Sequence, residues 1–216
     1  MTDPGDIHPD RGALLVVDMQ PDFMPGGALA VAGGDELVEP ISALVRSDRF
    51  AHRVATQDWH PAGHVSFAST HEGRQPFDEI DLYGHEQVLW PDHCVQGSAD
   101  AALHKDLALP KAQLIIRKGW HQGTDSYSAF TEADGKTSTG LAAYLKAHGV
   151  NEVYVCGLAT DFCVAWTALD ARKAGFKASV IEDATRGIDL NGSLKAAWAQ
   201  MAKAGVKRIQ SSDIAA

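Results

Sequence analysis

The feature that most constrains this fold is the alternation of short apolar runs with helical patterns along the chain. The apolar runs are nearly continuous, which is typical of strands buried on both faces of a parallel sheet. Together with the helical patterns between them, they predict an α/β fold whose sheet has helices on both sides. An α+β arrangement stays open as the alternative. The predicted strands are Ala13–Asp18, Arg53–Gln57, Gln113–Arg117, Glu152–Cys156, Ala178–Glu182 and Val206–Gln210, and the predicted helices are Asp35–Val45, Ser138–His148, Asp161–Ala174 and Ser193–Ala204.

One segment, from residue 58 to residue 111, interrupts this alternation. It contains six of the ten histidines and has few periodic features. A connection of this length inside a compact domain is usually functional. The 216 residues suit one domain, and the chain shows no linker, internal repeat or low-complexity stretch. We therefore expect a single domain over residues 1–216, with a histidine-rich insertion at about 58–111.

Charge and cysteine usage exclude several classes of protein. Acidic residues outnumber lysines and arginines by 28 to 19, and the net charge of −9 disfavours nucleic acid and anionic membranes as partners. Three cysteines are too few for a disulfide scaffold, which indicates a reducing compartment. No apolar run is long enough to span a bilayer, and the first residues lack the pattern of a secretory leader. We expect a cytoplasmic protein that binds neither nucleic acid nor membrane.

Polar side chains gather where the predicted strands end. Asp18 ends the first strand, Lys118 follows the third, and Cys163 follows the fourth within the first turn of a helix. The carboxyl ends of parallel strands meet at one edge, where open α/β sheets bind ligands. The helix N-terminus is expected to lower the pKa of the Cys163 thiol, and the other two residues could serve as base and cation. The alternative for each residue alone is structural: a buried cysteine, a turn or cap aspartate and a solvated lysine.

Asp58 and His60 form the clearest metal-binding pattern. In an extended segment, residues two apart point the same way, so one carboxylate and one imidazole can bind the same ion. A third ligand could come from the histidine-rich segment, with His93, His64 and His71 as candidates. Two histidines and one carboxylate suit Zn²⁺, Fe²⁺ or Mn²⁺. The alternative is a set of surface histidines around a proline turn.

Three aromatic residues, Phe23, Trp90 and Tyr127, lie in segments between the predicted strands. Aromatic rings beside polar groups can form a slot for a flat ligand, although ordinary packing beneath loops accounts equally well for each ring alone. Neither of the glycine-rich phosphate-binding patterns follows a predicted strand, which weakens a nucleotide-binding interpretation.

Taken together, six segments of the sequence resemble the nicotinamidase (pyrazinamidase) family of the isochorismatase-like cysteine hydrolases. The resemblance runs from about residue 13 to about residue 189, and the second, third and sixth segments together make it specific. The segments are VVDMQPDFMPGGALAV (16–31), DWHPAGHVSFASTH (58–71), LWPDHCVQGS (89–98), RKG (117–119), DSYSAF (125–130) and GLATDFCVAWTALDA (157–171).

The resemblance implies a three-layer α/β/α sandwich around a six-stranded, mainly parallel sheet. It implies an amidohydrolase that converts nicotinamide, and pyrazinamide, to the acid and ammonia through a cysteine thioester, a reaction of NAD salvage. It also implies one divalent metal ion per chain, with zinc as first choice and iron or manganese as alternatives. The implied partner is a small aromatic amide. Oligomeric state is not readable from the sequence, and a homo-oligomer stays open.

The same resemblance implies a role for each candidate residue. The implied catalytic triad is Asp18, Lys118 and Cys163, and the implied metal ligands are Asp58, His60 and His93. The implied oxyanion hole consists of the backbone N–H groups of Ala159 and Cys163, next to a cis peptide bond between Leu158 and Ala159. The substrate ring would stack among Phe23, Trp90 and Tyr127. Pro21 departs from the asparagine common in the family, which bears on the loop that carries Phe23.

Three rival functions stay open at this point. Other amidohydrolases of the superfamily, acting on carbamoylsarcosine or ureidoacrylate, share the triad but are not expected to show the metal ligands. A metal-bound hydroxide could be the nucleophile, with Cys163 as a bystander. A ligand-binding module without catalysis is the third alternative, because fold does not dictate function.

Overall fold

The structure is a computed structural model that describes residues 9–107, 109 and 111–215. The strands are β1 (Gly12–Val17), β2 (His52–Asp58), β3 (Glu79–Leu82), β4 (His85–Val88), β5 (Leu114–Lys118), β6 (Glu152–Leu158), β7 (Lys177–Arg186) and β8 (Lys207–Ile209). The helices are α1 (Val38–Arg46), α2 (Leu141–Ala147), α3 (Ala165–Lys173), α4 (Ser193–Lys203) and α5 (Ser211–Ala215). All six predicted strands and all four predicted helices are present, with ends that shift by a few residues.

Six of the strands form one sheet in the order β5–β2–β1–β6–β7–β8. Every neighbouring pair in this sheet is parallel, which confirms the predicted α/β fold. Because the strands are parallel, the carboxyl ends of β1, β2, β5 and β6 lie along one edge. The strand order reverses direction at β1. Ligands of open parallel sheets bind beyond such an edge, at the point where the strand order reverses.

Two apolar cores cover the two faces of the sheet. Alternate residues of β1 enter different cores, Leu14 and Val16 on one face and Leu15 and Val17 on the other, because side chains alternate across a strand. Helices α1 and α5 pack in the first core, and helices α2, α3 and α4 pack in the second. The result is the expected three-layer α/β/α sandwich.

Strand β5 departs from the prediction that every strand is buried on both faces. It lies at the end of the sheet, and Ile115 is 50% exposed. Leu114, Ile116 and Lys118 on the opposite face are more buried, so the strand alternates as a half-exposed edge strand does. An apolar run therefore does not by itself distinguish a central strand from an edge strand in this chain.

The segment at residues 58–111 contains a hairpin that the sequence analysis did not predict. Strands β3 and β4 pair in antiparallel fashion, apart from the main sheet. They are joined by Tyr83 and Gly84, which both have positive φ angles, of 59° and 80°. Two such residues form the tight turn that matches the twist of a hairpin.

No helix in the described part of the chain combines the length and apolarity needed to cross a membrane.

Candidate active site

Asp18 lies at the reversal point of the sheet, directly after β1. Its backbone turns there with a φ of 47°, so β1 ends at Val17, one residue earlier than predicted. Thr56 of β2 holds it from the side: the Asp18 N–H donates to Thr56 Oγ1 at 3.1 Å, and that hydroxyl donates to Asp18 Oδ1 at 2.6 Å. The carboxylate is fully buried. Its other oxygen, Oδ2, accepts no well-directed hydrogen bond from any described residue, although Nζ of Lys118 is close to it.

Lys118, the last residue of β5, connects the other groups. Its Nζ lies 2.9 Å from Asp18 Oδ2 and 2.9 Å from Asp58 Oδ1. It also donates to the Ser126 carbonyl oxygen at 2.9 Å and to Cys163 Sγ at 3.4 Å. The side chain has no solvent exposure, so these contacts replace water around the ammonium group. The structure thus brings the three predicted catalytic residues together.

Cys163 lies in a π-helical turn, Thr160–Val164, that leads directly into α3. The turn begins after β6, and the peptide bond between Leu158 and Ala159 is cis, as predicted. Of the Cys163 residue surface, 7% is exposed, toward a small cavity. The turn places the thiol beside Lys118 and Asp18.

The pKa of the thiol corrects one prediction. Burial raises the pKa of Cys163 well above its usual value, and Lys118 offsets this only in part. The expectation that the helix N-terminus makes the thiolate available near neutral pH is therefore wrong, because desolvation outweighs it. Burial also raises the pKa of Asp18. In Lys118 the two carboxylates outweigh burial and raise its pKa, so it stays a cation.

Asp58, His60 and His93 meet on the other side of Lys118. The Oδ2 atom of Asp58 lies 3.1 Å from Nε2 of His60 and 3.4 Å from Nε2 of His93. Burial alone would raise the pKa of Asp58, but His60 and Lys118 hold it well below its usual range. All three side chains are buried, and their ligand atoms lie within 4.8 Å of one another.

The hydrogen bonds behind these histidines test whether a cation fits. Nδ1 of His60 donates to the Gly119 carbonyl at 2.8 Å, and Nδ1 of His93 donates to the Pro91 carbonyl at 2.8 Å. A neutral ring that donates through Nδ1 carries its lone pair on Nε2. With both rings neutral, two lone pairs would face the Asp58 carboxylate in a buried space, an arrangement that a divalent cation stabilises. The residues present fit a metal ion.

His64 and His71, the other candidate ligands, do not belong to the group formed by Asp58, His60 and His93. His64 stacks on His60 with ring centroids 4.1 Å apart, and it belongs to a second group of ligand-type atoms with His60 and Asp125. Burial lowers the pKa of His64 to about 4, and His60 adds to this effect, so the ring is neutral. His71 contacts the Val65 carbonyl through Nε2 at 2.7 Å.

A small cavity, about 20 Å³ in volume, joins the thiol to the metal ligands. Phe23, Trp90 and Tyr127 line it, as predicted from the sequence. Trp90 also meets Phe162 edge to face, with ring centroids 4.9 Å apart. The residues of this lining that the sequence analysis missed are Leu29, Asp125, Phe162 and Ile188.

Some of these missed residues had a signal in the sequence. Phe162 precedes Cys163, and Asp125 lies two residues before Tyr127, so each was adjacent to a residue already singled out. Leu29 and Ile188 are ordinary apolar residues in loops. Only the three-dimensional structure brings them to the cavity.

Comparison with known proteins assigns the chain to a family. The isochorismatase domain family matches residues 12–213, and the chain belongs to this family. It is similar to a nicotinamidase of Acinetobacter baylyi, at 60% identity over 202 residues and 94% of each chain. It is also similar to a solved Acinetobacter baumanii nicotinamidase/pyrazinamidase, with a TM-score of 0.93, 59% identity and coverage of 96% of this chain and 100% of that one. A Pyrococcus horikoshii pyrazinamidase solved in complex with zinc has a TM-score of 0.76 at 38% identity, over 93% of this chain and 99% of that one.

Proposed function

We propose that the protein is a nicotinamidase that hydrolyses nicotinamide to nicotinate and ammonia, and that it accepts pyrazinamide as well. The observation that carries this proposal is the position of Lys118 Nζ, in contact with Asp18, Cys163 and the metal-site residue Asp58 at once. The proposed nucleophile, Cys163, and the proposed metal ligands thus line the same aromatic cavity. The similarity to nicotinamidases over nearly the whole chain supports this substrate class. The reaction belongs to NAD salvage.

Cys163 acts as the nucleophile and Asp18 as its base. The raised pKa of Cys163 keeps the thiol protonated at rest, so attack requires proton transfer. Asp18 Oδ2, which Lys118 Nζ contacts at 2.9 Å, can accept that proton, and burial, by raising its pKa, makes the carboxylate a stronger base. Lys118 stays cationic and stabilises the negative charge that passes from Asp18 to the sulfur.

The acyl transfer then follows from the positions of these groups. The Cys163 sulfur attacks the carboxamide carbon, and the backbone N–H groups of Ala159 and Cys163 stabilise the oxyanion that forms. Asp18 gives its proton to the departing nitrogen, the C–N bond breaks and ammonia is released. The acyl group stays bound to Cys163 as a thioester. Asp18 next accepts a proton from water, whose oxygen attacks the thioester carbon. The C–S bond breaks, the Cys163 sulfur takes the proton back from Asp18, and nicotinic acid, which ionises to nicotinate, is released.

Asp58, His60 and His93 hold one divalent cation in this proposal, and zinc, iron and manganese all suit the ligands. When bound, the cation would accept the lone pair of the pyridine nitrogen and so fix the ring relative to the thiol. Phe23, Trp90 and Tyr127 enclose the flat ring. The chain would act as a single domain over residues 1–216, and the cytoplasmic location and oligomeric state stay predictions.

An ammonia-release assay tests the function. Purified protein loaded with zinc should release ammonia from nicotinamide and pyrazinamide and should leave aliphatic amides such as acetamide nearly untouched. Turnover of aliphatic amides in preference to nicotinamide would instead favour another amidohydrolase of the superfamily. Binding of nicotinamide without ammonia release would favour a binding module.

A further inference from the structure

Two polar side chains of the cavity, Asp125 and Tyr127, belong neither to the triad nor to the proposed metal ligands. They lie in the loop after β5 and are joined by one residue of the inserted hairpin, Gln87 of β4. Gln87 does not line the cavity itself. A residue in this position can influence a ligand only through its neighbours.

The side-chain amide of Gln87 contacts both groups directly. Its Nε2 donates to Asp125 Oδ2 at 2.8 Å and to Tyr127 Oη at 2.9 Å, and it lies 2.8 Å from the Val88 carbonyl oxygen. Gln87 is 1% exposed, and its Oε1 has no hydrogen-bond partner among the described residues. Exchanging the amide nitrogen and oxygen would place Oε1 against the Asp125 carboxylate, which repels it. The amide orientation is thus set by Asp125, with one buried acceptor left unsatisfied.

Asp125 and Tyr127 each have one other donor. Ser126 N–H donates to Asp125 Oδ1 at 2.8 Å, and Trp90 Nε1 donates to Tyr127 Oη at 2.9 Å. Because Tyr127 Oη accepts hydrogen bonds from Trp90 and Gln87, it can act toward a ligand only as a donor. Asp125 acts only as an acceptor. Gln87 therefore fixes an acceptor and a donor beside each other in the wall of the cavity.

We propose that Gln87 is a positioning residue for substrate binding: it fixes Asp125 and Tyr127 so that the cavity presents a rigid acceptor–donor pair to a planar aromatic amide. The proposal rests on the proposed nicotinamidase function. It assigns the inserted hairpin a share in recognition, although none of the hairpin side chains that the structure describes lines the cavity. Its effect should appear in KM and in ligand affinity more than in kcat, since Gln87 touches none of the proposed reacting groups.

The test compares Gln87→Leu and Gln87→Glu with wild type and with Glu86→Gln. Leucine keeps the volume and removes both donors, whereas glutamate keeps the shape and places a second acceptor beside Asp125. Glu86 is the neighbouring exposed residue of β4 and serves as the matched control. Five quantities are measured: KM and kcat for nicotinamide, the Kd of nicotinate by calorimetry, bound zinc and Tm.

Gln87→Leu is expected to raise KM and the nicotinate Kd about tenfold, the effect of removing buried hydrogen bonds, while kcat stays within about twofold. Gln87→Glu should raise both at least as much, and Glu86→Gln should leave them at the wild-type values. Unchanged KM and Kd in folded, zinc-loaded Gln87→Leu would overturn the proposal. A fall in kcat, zinc content and Tm with constant KM would also overturn it, by showing a purely structural role.

The nicotinate measurement separates this proposal from the proposed function. If wild type binds nicotinate but releases no ammonia, the nicotinamidase function is wrong, and the Kd of Gln87→Leu still decides the role of Gln87. If wild type is active and both Gln87 variants match it, only the positioning role is wrong. Wild type that neither binds nicotinate nor hydrolyses nicotinamide contradicts both.

Discussion

The main sheet and the inserted segment at residues 58–111 hold their functional groups by different means. Lys118 ends a strand paired with β2, and Asp18 directly follows β1, so a ladder of backbone hydrogen bonds sets where their side chains begin. In the inserted segment, His93 is oriented by a single hydrogen bond to a backbone carbonyl. The ring of His60 has one such bond, to Gly119, although its backbone pairs with the segment around Val95.

This difference predicts that the two regions contribute to different steps of the reaction. A backbone ladder is cooperative and resists the loss of one side chain, whereas a single hydrogen bond has no substitute when it is removed. We therefore expect substitutions in the inserted segment to weaken metal and substrate binding, and substitutions at the strand ends to reduce the chemical step. Asp58 belongs to both regions, because one oxygen faces the histidines and the other contacts Lys118.

The largest effect is expected at the strand-end side, in Cys163→Ala. Without the sulfur no thioester can form, so ammonia release should fall by a factor of at least about 10³. Zinc content should match wild type, because the sulfur belongs to a different part of the cavity from the proposed ligands. Metal analysis and an ammonia assay on the same sample check both statements. Near-normal turnover would show that a metal-bound hydroxide, and not the thiol, is the nucleophile.

The next largest effects are expected in two substitutions that separate metal and substrate binding from the chemical step. His93→Ala should lose most of its bound zinc and raise KM roughly tenfold or more, with a smaller change in kcat. Asp58→Asn should affect both constants, since it also removes a charge that Lys118 contacts at 2.9 Å. Steady-state kinetics at saturating zinc measures KM and kcat of each variant. If KM and kcat change in the same proportion in both variants, binding and chemistry are not separated in this way.

The junction between the regions is expected to be the next most sensitive point. Gly119 has a φ of 63°, and a Cβ built there would lie 2.4 Å from Cε1 of His60. Gly119→Ala should cost about 1–2 kcal/mol for the backbone conformation and should also displace the His60 ring. Zinc affinity should fall by about 10–100-fold, the usual effect of disturbing a ligand's supporting contacts. Gly123→Ala is the control, because no atom lies within 4 Å of its added Cβ; equal zinc affinity in both variants would contradict the argument.

The same contrast explains what could be predicted from the sequence. Strands β1 and β6 are nearly continuous apolar runs, a local property that marks both the strand and its carboxyl end, and Asp18 and Cys163 follow those ends. The hairpin was missed because Tyr83–Gly84 lacks the asparagine or aspartate that usually marks such a turn. Its flanking strands also mix charged and apolar residues on one surface.

The contacts of Lys118 could not be predicted for a different reason. Its position at a strand end was readable, but contact with both Asp18 and Asp58 depends on the strand order, which brings β5, β2 and β1 side by side. The raised pKa of Cys163 likewise depends on burial by residues distant in sequence. The periodicity of a sequence indicates local structure only. The contacts of Lys118 and the raised pKa of Cys163 arise instead from packing between residues distant in sequence.

A smaller effect is expected at the opposite end of the sheet, where the functional groups are absent. Burial lowers the pKa of His52, and His148 and Arg53 add to this. A folded-state pKa below the unfolded value gives stability that is present above about pH 6.5 and is lost as pH falls below it. His52→Gln should therefore lose less Tm than wild type between pH 7.5 and pH 5, with kcat at pH 7.5 unchanged. If Tm falls equally in His52→Gln and wild type, protonation of His52 does not destabilise the folded protein.

The smallest effect is expected at Tyr83 of the inserted hairpin, whose hydroxyl contacts backbone groups of the loop after β5. Tyr83 Oη donates to the Gly123 carbonyl at 2.6 Å and accepts from Asp125 N–H at 3.3 Å. Tyr83 is 38% exposed, so water can replace much of what Tyr83→Phe removes, and KM for nicotinamide should rise only about two- to fivefold. Zinc content and kcat should stay at wild-type values. A change in KM as large as that in Gln87→Leu would mean that the whole hairpin, and not the Gln87 amide alone, fixes the wall of the cavity.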